Sequence, residues 1–265
     1  MTASYNQFSS FPLYILFSML SVGDQRIRNA IPKDRTVLVF DIEGCLYDRF
    51  NNLFEYEKVV ARKLYAENAS PTSPPNITDA FRKHLSLTKI FYEECKISPK
   101  EYFRNKNTIK FEIFLERDDD LRTRLNKLKQ MGYSLVVWSS NNLEITRRIL
   151  GLLYIENVFD VIFYASEDAS DGLLEKPMKE ANELLARLLD LEKNKQIILF
   201  CNSLMACDSG GQIGFRGIPI NVKEGIVITL EDFIVSETMH KGLFVNSPNN
   251  PIMKYGKNDE RRDSE

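Results

Sequence analysis

Only two histidines and four cysteines occur in 265 residues. Cys45, Cys95, Cys201 and Cys207 lack the paired short spacings of a zinc site, and His84 and His240 stand too far apart to complete one. So few cysteines in a chain this long fit a reducing interior better than a disulfide framework. That setting leaves the Asn-x-Ser/Thr matches at Asn68 and Asn76 without meaning, because such sites are used in secreted proteins. Net charge is scarce too. Thirty-five basic residues face 37 acidic ones, for a formal charge of -2, which gives no electrostatic reason to expect nucleic acid or an anionic membrane as partner. The apolar run Phe11 to Val22 falls well short of the ~20 residues a membrane-spanning helix needs. No Lys or Arg precedes it, as a signal peptide would require. It reads as a core-docking helix or a poorly ordered extension, with Arg26, Arg28, Lys33 and Arg35 following as the one feature in favour of a membrane anchor. No internal repeat is found.

What is present is organised around Thr36 to Asp48. Thr36, Val37, Leu38, Val39 and Phe40 form an unbroken apolar or β-branched run, the pattern of a strand buried on both faces. Asp41, Glu43 and Gly44 follow at its carboxyl end, where open α/β sheets bind their ligands.

Residues 50–116 contain no strand-like run. Leu53, Tyr56, Val59, Val60 and Leu64 recur at helical spacing, as do Ile77, Phe81, Leu85 and Thr88 after the break at Ser70 to Pro75. Asn76 with Asp79 three residues on marks a helix start. Asp118 to Asp120 open a further helix, which Gly132 closes. Tyr133 to Trp138 is a second strand, running into Ser139, Ser140, Asn141 and Asn142. A helix to about Ile155 and a strand from Val158 to Tyr164 follow. Beyond the polar loop Ala165 to Glu175, Lys176 and Pro177 lead a helix. Gln196 to Phe200 is the fourth strand, ending in Cys201, Asn202 and Ser203. A helix through Gln212 and strand-like Ile218 to Val222 and Ile226 to Ile228 complete the pattern.

Strands alternating with helices predict an α/β fold with a doubly wound parallel sheet. The expected organisation is an N-terminal extension (1–35), an α/β core (36–49 and 117–234), an inserted helical cap (50–116) and a partly disordered C-terminal extension (235–265).

The strings VFDIEGCLYD, WSSNN, EKP and LFCNS resemble, in order and interval, the four motifs of haloacid dehalogenase-type phosphatases. The inserted helices resemble that family's type-one cap, and Cys45-Leu46-Tyr47 resembles the pyrimidine 5′-nucleotidase-like branch. The resemblance implies a phosphomonoesterase that works through an aspartyl phosphate. In it Asp41 would be the nucleophile and Glu43 the acid and base. Ser139, or Ser140 if the strand is one residue longer, would bind the phosphoryl group, and Lys176 would neutralise its charge.

Two of the four motifs depart from the family's pattern. Glu43 stands where the family has Asp, and Cys201 and Asn202 stand where the family holds Mg²⁺ with acids. Mg²⁺ is a hard cation, usually held through carboxylates. The expected metal set is therefore Asp41, Glu43 and Asn202, with Asp208 as the acid that would restore it. The expected partner is a small phosphorylated metabolite, by resemblance a nucleoside 5′-monophosphate. No nucleic acid or membrane partner is expected, and oligomeric state is left open. The expected location is cytoplasmic, with the nucleus open. The competing expectation is a catalytically inactive protein of the same fold whose metal site has been lost.

Overall fold

The computed structural model describes residues 13–16, 29–32, 34–47, 52–168, 176–189, 196–220 and 225–245. Six strands form one sheet: β1 (Leu13–Leu16), β2 (Val37–Phe40), β3 (Ser134–Trp138), β4 (Val161–Tyr164), β5 (Ile197–Cys201) and β6 (Arg216–Pro219). Their order is β1-β4-β3-β2-β5-β6, and every pairing is parallel. β2, the strand carrying the acids, lies between β3 and β5.

The unbroken apolar character of these strands follows from burial on both sides. Leu38, Phe40, Leu135, Val137, Ile198 and Phe200 join one core, while their alternates Val37, Val39, Val136, Trp138, Ile197 and Leu199 join the other. A period of two thus sends neighbouring residues to opposite faces. Phe40 and Phe200 stack in register across β2 and β5, with ring centroids 4.9 Å apart. Burying each such side chain contributes roughly 1.5–3 kcal/mol.

Nine helices are described: α1 (Asn52–Asn68), α2 (Ile77–His84), α3 (Leu87–Cys95), α4 (Pro99–Asn107), α5 (Asp119–Gln130), α6 (Leu143–Leu152), α7 (Lys179–Leu188), α8 (Leu204–Gly211) and α9 (Gly225–Val245). Side-chain caps set several of their starts, as the sequence predicts. Asn76 accepts from Asp79 N–H at 3.0 Å, and Asp118 accepts from Leu121 N–H at 2.8 Å, each satisfying an amide without a helical partner. Among the described residues between β2 and α5, the regular elements are α1 to α4 and two short helical turns, Ile42–Leu46 and Phe111–Ile113. None of the described helices is long and apolar enough to cross a membrane.

Four expectations differ from the structure. Within the run Phe11 to Val22, Leu13–Leu16 is an edge strand paired with β4, not a helix or loose extension, because a four-residue apolar segment carries no period that separates the two. Ile226 to Ile228 is not a strand but the start of α9. Its buried residues Ile226, Leu230, Phe233 and Ile234 recur at helical spacing, which a β-branched opening conceals. The expected boundary at residue 234 therefore falls inside a helix, and Tyr133 Oη donates to Glu237 at 2.7 Å, tying residues past it to the core. Helix α7 begins at Lys179 with Met178 as cap, so Lys176 and Pro177 precede it. The polar tail from Asn246 lies outside the described residues.

Candidate active site

The site is assembled from the carboxyl ends of three adjacent strands. Asp41 follows β2 directly, its N–H held by the Phe200 carbonyl of β5 at 3.0 Å. Its Oδ1 accepts from Ile42 N–H at 2.8 Å. The chain then winds tightly through Ile42–Leu46, with Glu43 extended and Gly44 at φ 63. That left-handed value is cheap only for glycine. The turn brings Glu43 back beside Asp41 over the strand ends.

Lys176 arrives from the far side of the 165–178 connection. Its Nζ donates to Asp41 Oδ1 and, at 2.5 Å, to the Trp138 carbonyl that ends β3. The lysine side chain is only 7% exposed and the aspartate 12%. Burial pushes the Asp41 carboxyl up to about 6, with Lys176 opposing the shift and Glu43 adding to it. A carboxyl placed there changes protonation close to neutral pH, which is unusual for Asp.

Of the two serines, Ser140 lines the cavity above Asp41 and Lys176. Ser139 is buried, and its oxygen accepts from Asn141 N–H at 3.0 Å and from the Thr146 hydroxyl at 3.0 Å. It organises the start of α6 rather than facing the cavity. Asn141, which the sequence reading assigned no role, donates its Nδ2 to Glu43 Oε1. Asn202 donates its Nδ2 to the Glu43 carbonyl at 2.6 Å. In both cases the partner oxygen can only accept, so the amide must present its N–H side. Asp208 is exposed on α8 and is absent from the cavity wall.

These contacts decide how well the residues fit Mg²⁺. The expected set of Asp41, Glu43, Asn202 and Asp208 is incomplete, since Asp208 is exposed and outside the cavity wall and the Asn202 amide donates to the Glu43 carbonyl. Among the described residues no cluster of three or more His, Cys, Asp or Glu side chains is arranged to hold a metal. Asp41 Oδ1 instead accepts from an ammonium, and Glu43 Oε1 and the Glu43 carbonyl accept from two amides. A hard cation needs free oxygen ligands, so the donor set does not fit it.

The cavity itself measures about 500 Å³. Its floor is Asp41, Glu43, Ser140, Lys176 and Asn202, and its walls come from α1, α2, the start of α3, α4 and the start of α8. In the wall Glu57 pairs with Lys106 at 3.1 Å and accepts from Tyr47 Oη at 2.9 Å. Burial raises Glu57, and Lys106 opposes it. Nothing in the spacing of residues 50–116 marks this pair, because it joins helices 49 positions apart.

A parallel sheet covered on both faces, with an acid–lysine pair at its carboxyl edge and a cavity above, defines an α/β protein of the doubly wound class with a strand-end site. A family model described as haloacid dehalogenase-like hydrolase matches residues 38–200, and the chain belongs to that family. Similar solved structures include a haloacid dehalogenase-like hydrolase from Streptococcus pneumoniae (13% identity, 78% of this chain and 98% of that one, TM-score 0.47). Another is a hydrolase of the same superfamily from Ehrlichia chaffeensis (18%, 76% and 97%, 0.42). A third is a family enzyme from Bacteroides thetaiotaomicron in complex with magnesium and inorganic phosphate (15%, 72% and 96%, 0.41). A search of curated proteins gives no match.

Proposed function

We propose that this protein hydrolyses a small phosphate monoester, with Asp41 as nucleophile. The observation that carries this reading is the buried Asp41–Lys176 pair on the floor of a cavity large enough for a metabolite. In the first step a carboxylate oxygen of Asp41 attacks phosphorus, the ester P–O bond breaks, and the departing oxygen takes a proton from the Glu43 carboxyl. In the second, Glu43 accepts a proton from water, the water oxygen attacks phosphorus, and the bond to Asp41 breaks to release phosphate. Lys176, held by the Trp138 carbonyl, offers its remaining N–H to a phosphoryl oxygen and offsets the developing charge. Asn141 fixes the Glu43 carboxyl, leaving Oε2 to carry the proton. No step is assigned to a metal.

The resemblance to the pyrimidine 5′-nucleotidase-like branch makes a nucleoside 5′-monophosphate the first substrate to try, with helices α1 to α4 acting as a cap that excludes water. Phosphate release from a panel of monoesters, with chelator and with added Mg²⁺, tests the reading. Turnover that persists in chelator and is lost in Asp41→Asn supports it; no turnover on any ester overturns it. A second reading, a protein that binds such a ligand without turning it over, is favoured by the amide of Asn202 standing where the family has an acid. It predicts saturable binding with no phosphate release, and Asn202→Asp would then gain Mg²⁺ binding by calorimetry.

A further inference from the structure

The cavity has two chemically distinct ends. Its floor is charged, but the wall is built largely from apolar side chains that remain partly open to the cavity: Phe54, Val60 and Leu64 of α1, Ile77 and Phe81 of α2, and Leu87 of α3. Met205, 52% exposed, continues this surface from the start of α8. Polar groups do occur in the wall, Arg62, Thr78 and Thr88 among them, and the structure engages several of the others with neighbouring groups. Glu57 and Lys106 pair, Lys58 donates to Glu55 at 2.7 Å and lies over the Phe54 ring, and the Asn105 amide donates to the Glu101 carbonyl at 3.0 Å.

We infer that the alcohol carried by the phosphate ester is apolar: an alkyl, prenyl or aryl group lying against α1, α2 and the start of α3, with its phosphate on Lys176. This rests on the phosphomonoesterase reading for the reaction, though not for the fit. A sugar presents a hydroxyl on almost every carbon, and each one buried without a partner costs binding free energy. An alkyl chain instead releases water from half-wet apolar walls, with a gain that grows with each methylene. The cavity volume falls in the range that encloses a small organic ligand.

The test uses the full-length protein and two readouts. Calorimetry compares hexylphosphonate with methylphosphonate, and initial rates compare hexyl phosphate with glucose 6-phosphate and uridine 5′-monophosphate. Hexylphosphonate should bind at least ~10-fold tighter than methylphosphonate, with a negative heat-capacity change. Hexyl phosphate should have the highest kcat/KM of the three esters. Leu64→Asn and Phe81→Ser should each shrink the hexyl-to-methyl affinity ratio. Equal affinity for the two phosphonates, binding of neither, or preferential hydrolysis of the sugar phosphate or the nucleotide would overturn the inference. Preference for hexylphosphonate with no ester hydrolysed would leave the inference standing and remove the phosphomonoesterase reading.

Discussion

The floor and the wall of the cavity are held in different ways. At the floor, Asp41, Glu43, Lys176 and Asn202 are tied to one another or to backbone carbonyls at the ends of the central strands, and the strands beneath them are fully buried. Along the wall, the Glu57–Lys106–Tyr47 group is locked by its own contacts, and half-buried apolar side chains of α1, α2 and α3 supply much of the remaining surface. A sheet edge fixes polar groups because its backbone is already paired and cannot shift without breaking the ladder. A helical wall fixes little more than shape. The difference teaches that the polar groups of the floor are fixed by the paired ends of the sheet, whereas the apolar side chains of the wall are placed by packing against the helical side of the core.

The largest expected effect lies at the floor. Lys176→Met should lower kcat/KM by on the order of 10²–10³-fold. It should also move the acid limb of the pH–rate profile upward from about 6, because Lys176 is what opposes the burial-driven rise of Asp41. In the proposed mechanism Asp41 attacks as the carboxylate, so activity should rise with pH through that value. A limb that stays in place or moves down would uncouple the two residues.

The next effect is on stability and concerns the wall. Lys106→Met leaves Glu57 buried without its cation and should cost about 3 kcal/mol at neutral pH, read by denaturant unfolding. Burial raises Glu57 in the folded state, so its neutral form favours folding. The loss should therefore be small below the ordinary carboxylate range and grow as pH rises through the elevated value. A deficit that does not vary with pH would mean that packing of the lysine stem, not charge, holds the wall together.

The smallest effect is expected at Asp208. Asp208→Asn should change neither phosphate release nor the unfolding midpoint measurably, since the residue is exposed and outside the cavity. A clear loss of activity would return it to the site and weaken the contrast between a sealed floor and its surroundings.

The central strands were legible because double burial demands uninterrupted apolar runs, and Val37–Phe40, Ser134–Trp138 and Ile197–Cys201 supply them. Asp41 and Lys176 could be paired from motif order, although they lie 135 positions apart. Ser139 could not be told from Ser140, because one residue at a strand end decides which hydroxyl faces the cavity and which is buried against Asn141 and Thr146. Asn141 stood in a motif but carried no sign of its partner. Leu13–Leu16 and the opening of α9 escaped a pattern reading for one reason: a short β-branched or aromatic stretch satisfies strand and helix alike until a neighbour is present.

The sequence by itself determined a parallel α/β core, the order of its elements, and the arrival of an acid and a lysine at strand ends, because alternating burial and chain connectivity are local properties. Only the tertiary structure decided that the Asn202 amide donates to the Glu43 carbonyl, that Asp208 is exposed away from the cavity, and that Glu57 meets Lys106. Those outcomes depend on side-chain direction and on which donors reach which acceptors across the fold, quantities that no spacing along the chain encodes.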